Sequence, residues 1–181
     1  MNSQIQKKIG AANYFRRLEQ KIQADASTID NYLEQRVRIL QNLAALVHKA
    51  IDLDKDVMKT VAAFRGGRLP EGERNAVANQ IDGCFGRLFP QVEAYPDLKA
   101  HAAIAEAIQQ NSYLQKEITA ARQLYNDTVA QWNADIFDWP TKQIVAARAG
   151  YTTRIPFTAS AEIKKLEAKA ESERTKKGRP P

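Results

Sequence analysis

The chain has 181 residues, 44% of them hydrophobic and 27% charged, which is enough for one domain with its own core. Its 8 glycines and 7 prolines gather in short patches, so the regular turns of a strand-rich domain are excluded and an all-α protein is expected. The single Cys84 excludes an intramolecular disulfide and a cysteine-cluster metal site, and the net charge of +6 is concentrated at the two ends.

Residues 1–10 are polar and are read as a flexible basic N-terminus, with Ile5 and Ile9 able to extend the following helix by a turn or two before it frays. From Ala11 to Arg65 there is neither glycine nor proline, so the backbone chemistry allows one unbroken helix of about 80 Å. An apolar row runs along it at spacings of three and four, from Phe15, Leu18 and Ile22 through Leu33, Leu40 and Val47 to Ile51, and resumes at Val57, Val61 and Phe64. A row of that period calls for partner helices along its length. Gly66, Gly67 and Pro70 then read as a helix stop. A phosphate cradle at the two glycines is the weaker reading, because no strand precedes them and no Walker lysine follows.

A second helix is expected over Glu71–Ala94, with Val77, Ile81, Cys84, Phe85, Leu88 and Val92 on one side. Pro90 removes a backbone donor, so a kink or break is expected near Gly86–Phe89. After Tyr95-Pro96-Asp97, a third helix of about 65 Å is expected from Asp97 to Trp139, antiparallel to the first. Asn111 interrupts its apolar row, either to fix register between helices or at a rim. Pro140 ends it, Thr141 caps a short helix over Lys142–Ala149, Gly150 closes that, and Tyr151–Phe157 reads as an extended segment closing the bundle. Residues 160–181 form a charged tail, a marginal helix or disordered.

No catalytic constellation is visible. His48 and His101 lack the glutamate three residues upstream that a di-iron bundle needs, and there is no HExxH, nucleophile elbow or phosphate loop. Asp52, Asp54 and Asp56 alternate like the start of an EF-hand loop, but Val57 stands where that loop needs glycine, and the stretch reads as a solvated helix face. Asn126-Asp127-Thr128 matches a glycosylation triplet but falls mid-helix. Tyr125, Trp132, Phe137 and Trp139 read as clustered core aromatics in preference to an aromatic pocket. No catalytic residue, metal ligand or cofactor is therefore assigned.

The string Tyr95-Pro96-Asp97-Leu98-Lys99-Ala100, with Ala121-Arg122, Tyr125-Asn126, Trp132-Asn133, Ile136 and Pro140, resembles the LemA family of bacterial proteins. Ile29-Asp30, Arg36, Ile39-Leu40, Asn42-Leu43 and Gly150-Tyr151 to Phe157 extend the resemblance to roughly residues 12–159. Gln41 stands where the family commonly has proline, and the polar residues 1–10 stand where it commonly has a membrane helix. The resemblance implies a long antiparallel bundle of mainly four helices over residues 11–159, association with the bacterial envelope in many members, and no established enzymatic activity.

Two functional classes follow. The first is a non-catalytic scaffold that binds a protein partner through its long helices, in coiled-coil fashion. The second is a peripheral membrane-surface protein held on anionic lipid by Lys7, Lys8, Arg16 and Arg17, the candidate contact residues. Basic residues interleaved with aromatics are missing, so no nucleic-acid partner is expected. With no run apolar enough to span a bilayer and no signal peptide, the chain reads as soluble and cytoplasmic, with membrane association as the alternative.

Overall fold

The computed structural model describes residues 2–53, 55–64 and 73–158. All regular structure among them is helical: α1 (Ser3–Ala50), α2 (Lys55–Ala63), α3 (Arg74–Ala94), α4 (Pro96–Lys99), α5 (Ala102–Asp135) and α6 (Thr141–Ala149). α1, with 48 residues, is about 72 Å long and runs the length of the bundle. α5 lies antiparallel along it in the most extensive interface of the fold, and α3 packs on the pair parallel to α1. The Arg65–Pro70 stop, both its glycines, Asp54 and the tail after Thr158 lie outside the described residues.

The apolar row of α1 becomes the core. Phe15, Ile22, Ile29, Leu33, Leu40, Leu43 and Val47 are buried and share one cluster with Ile81, Phe85 and Leu88 of α3 and Ile104, Tyr125, Val129 and Trp132 of α5. Cys84 belongs to it as well, and burial pushes its thiol above the ordinary range, so it stays protonated and inert.

The first helix differs from its expectation at both ends. It begins at Ser3, with Asn2 as a true cap whose side chain accepts the Gln4 amide, so residues 3–10 are helical and Gly10 is an ordinary helical position. It stops at Ile51, whose backbone is extended, and the chain reverses so that α2 runs back along α1 and the Phe64 carbonyl accepts from Gln41. The apolar row carries the cause: it steps by three or four up to Ile51 and then jumps six to Val57, a slip of phase that a straight helix would place off the core face. Reversal lets Leu53, Val57 and Val61 all bury, and Asp52 suits the turn better than a helix interior.

Other boundaries also shift. Pro90 sits inside an uninterrupted α3. Both Pro90 and Gly86, whose carbonyl loses its donor, are on the exposed side, where water replaces the missing bond. The helix expected from Asp97 to Trp139 is split at Ala100–His101 into α4 and α5, and it ends at Asp135, short of Trp139. Thr141 is the first residue of α6 instead of its cap, and Gly150 ends that helix with φ +70°, the left-handed conformation that glycine adopts freely. Tyr125 and Trp132 are core aromatics as expected, whereas Phe137 and Trp139 are exposed.

The segment from Tyr151 to Thr158 has no helix and is held by side-chain amides. Asn133 accepts the Arg154 amide at 2.7 Å and donates to its carbonyl at 2.9 Å. Asn126 makes the same two bonds with Phe157, both at 2.8 Å, and Asn75 binds Thr158 N–H and the Pro156 carbonyl. The Trp132 indole adds a bond to the Thr152 carbonyl at 2.8 Å. Each amide supplies the donor and acceptor that a neighbouring strand would supply. Asn126→Ala should lower stability by about 2 kcal/mol in urea unfolding, and hydrogen exchange should speed up at the Phe157 amide while protection at Leu40 is kept.

Candidate functional site

The four basic residues singled out in the sequence all lie on α1 and are all exposed. They do not share a face. Lys7 and Arg16, like Lys8 and Arg17, are nine residues apart, about two and a half turns, so the members of each pair point in opposite directions and the four cations encircle the helix. None of them makes an ion pair among the described residues.

Next to them, α1, α5 and α6 meet in a polar latch. The Tyr14 hydroxyl donates to Asp135 Oδ2, which also accepts from Gln131 at 2.8 Å, and Lys142 Nζ lies 2.9 Å from Asp135 Oδ1 and 3.2 Å from Asp138. The same ammonium is 4.8 Å from the centre of the Tyr14 ring. Burial alone would raise the Asp135 carboxyl, but the hydrogen bonds from Gln131, Tyr14 and Lys142 outweigh it and hold its pKa below the ordinary 3.8. Lys142 is raised above 10.5, chiefly by its bond to Asp135 against the opposing effect of burial. Tyr14 is raised above 10.0, first by burial and then by the neighbouring carboxylate. All three groups are thus moved away from neutrality, which suits a fixed structural tie and not proton transfer at pH 7.

Deeper in the bundle, two arginines cross between helices. Arg36 of α1 donates to Asn111 Oδ1 of α5 at 3.0 Å, contacts Asp82 of α3 at 2.8 Å and stacks 5.2 Å from the Phe85 ring. Arg74 of α3 grips both carboxylate oxygens of Asp30 on α1 and lies 5.7 Å from the Tyr125 ring on α5. Asn111 therefore sets register, and the rim alternative does not hold. Sequence reasoning named Asn111 but missed Arg74, Asp82 and the latch, which are unremarkable surface-type residues until the helices bring them together. Among the described residues no group of three metal-ligating side chains is gathered; His48 lies on α1 and His101 is the N-cap residue of α5, and both are exposed.

At the opposite end from the latch, an open groove of about 480 Å³ follows the line between α1 and α5 on the side away from α3. Ile39, Ala45 and Leu46 form one wall, Ala103 and Ala107 the other, with Lys49 and Glu106 at the rim. A smaller cavity of about 220 Å³ adjoins the Arg36–Asp82 pair, between α1, α3 and α5. No helix among the described residues is long and apolar enough to cross a membrane.

The model of the LemA family matches residues 25–170. A comparison with curated proteins finds no match. The latch itself is open to test by pH. Because the folded-state pKa of Asp135 is depressed, its contribution is complete above the unfolded value of about 3.9 and is lost as pH falls through the folded value. Asp135→Asn should cost roughly 2 kcal/mol in urea unfolding at pH 7, and its deficit relative to the parent should shrink steadily below about pH 4.

Proposed function

The chain belongs to the LemA family, and from that premise we propose that it is a non-catalytic helical scaffold of bacterial type that binds a protein partner along its long helices. One observation carries the reading: the titratable groups whose pKa values are displaced, Tyr14, Asp135, Lys142 and Cys84 among them, are all tied into interhelical contacts or core, and each shift moves its group away from neutrality. Catalysis by acid or base would call for the opposite displacement, and a nucleophilic thiol for a lowered pKa. A scaffold instead needs a stiff frame and an accessible face.

The α1/α5 groove supplies such a face. Ala45, Ala103 and Ala107 keep its walls low enough for another helix to approach closely, Ile39 and Leu46 offer apolar contact, and Lys49 and Glu106 give opposite charges at the rim. The occupant proposed is an amphipathic helix of a partner protein. The test is site-specific photo-crosslinking of the full chain in its native host, from position 107 in the groove and from position 116 on the exposed side of α5. A defined protein adduct at 107, absent at 116 and lost with Ala45→Arg, is the expected result. Equal labelling at both positions would overturn the groove as the contact.

A further inference from the structure

The segment after α6 is laid between α3 and α5 in a fixed register. Asn133 holds Arg154 and Asn126 holds Phe157, so three residues of the segment span seven residues of α5. Seven helical residues rise about 10.5 Å and three extended residues about 10 Å, so the segment is fully extended and runs antiparallel to α5. On the other wall, Asn75 of α3 accepts the Thr158 amide and donates to the Pro156 carbonyl. The described residues end there, but the groove does not. The cavity of about 220 Å³ lies directly ahead, with Phe157 and Thr158 at its near end, buried Leu33, Ala78 and Ile118 in its lining, and Asn79 and Thr119 on its two walls.

Both walls point to the same next residue. Thr119 is seven residues back from Asn126 along α5, which places residue 160 opposite it. Asn79 is four residues beyond Asn75 on α3, about 6 Å or about two extended residues, which again gives residue 160. The sequence is patterned to match. Phe157, Ala159, Ala161 and Ile163 alternate with Thr158, Ser160, Glu162 and Lys164, and Phe157 is buried. An alternation of period two suits an extended chain with one buried face and does not suit a helix. The match to the LemA family continues through these positions to residue 170. We propose that residues 159–163 of the same chain occupy the α3/α5 groove in extended form. Ala159 and Ala161 face the cavity, and Asn79 holds the Ser160 amide and the Thr158 carbonyl as Asn75 holds the pair before them. Alanine suits both inward positions, because a longer side chain would lift the backbone away from the Asn79 amide. The seat is separate from the α1/α5 groove, which opens on the side away from α3, so its test stands or falls independently of a partner helix there.

Hydrogen exchange of the full-length protein is the first measurement. The Ser160 amide should exchange roughly a hundredfold more slowly than in a free peptide, and Asn79→Ala should speed it at least about tenfold while the Phe157 amide, held by Asn126, keeps its protection. Disulfide trapping in a Cys84→Ala background is the second. Thr119→Cys with Ser160→Cys should form an intramolecular bond at least roughly tenfold faster than Leu124→Cys with Ser160→Cys, because position 124 lies about 140° around α5 from position 119. Exchange at Ser160 at the free-peptide rate, protection there that is indifferent to Asn79→Ala, or equal trapping at the two α5 positions would overturn the proposal. Disulfide-linked dimers in place of the intramolecular bond would overturn it too, by giving the groove to a second copy of the chain.

Discussion

Two buried guanidinium groups determine how the three long helices fit together. Arg36 starts on α1 and reaches both α3 and α5; Arg74 starts on α3 and reaches both α1 and α5. A leucine core would tolerate sliding by a turn, since an apolar row looks much the same one turn on. A buried cation does not, because displacing it from its carboxylate leaves an unpaired charge in a low-dielectric interior, at a cost of roughly 3–5 kcal/mol. Everything else in the fold inherits that register: the latch at Tyr14, the groove at Ala107, and the position of the turn that carries Trp139.

The same logic of directional polar contacts on an apolar frame recurs in the segment after α6. It has no side chain period to bury and no strand to pair with, yet Asn75, Asn126 and Asn133 bind its backbone in pairs of bonds. Asn126 and Asn133 are seven residues apart, two turns of α5, so they form a ladder along one face of that helix. Arg154 then reaches from this segment to Glu19 and over the Trp132 ring, closing the circuit back to α1. Helix class, core and closing segment thus form a single arrangement in which polar residues choose the geometry and apolar residues supply the driving force.

Much of this was legible in the residues. The three-and-four spacing gave the core face of α1 almost residue by residue, because periodicity reports directly on which side of a helix is dry. The turn at Ile51 was hidden for a physical reason: helix propensity there is acceptable, and only the six-residue jump to Val57 marks the change of direction. The end of α5 was misplaced because Trp139 continues the row arithmetically, whereas the chain turns out of the helix after Asp135 and leaves Trp139 exposed. The basic residues were legible as a cluster in sequence but not as a ring in space, since nine-residue spacing places like charges on opposite sides of a helix. Asp135 and Lys142 carry no local pattern at all; their pairing is a product of tertiary contact.

The latch joins Tyr14 to Asp135 across 121 positions of chain, whereas Arg36 meets Asn111 across 75. A longer loop is entropically harder to close, if only by a fraction of a kcal/mol, and contacts of high sequence separation slow folding. Once Arg36 and Asn111 have met, the stretch left to close toward the latch is only the 22 residues from Tyr14 to Arg36 and the 24 from Asn111 to Asp135, so the inner contact shortens the loop that the outer one must close.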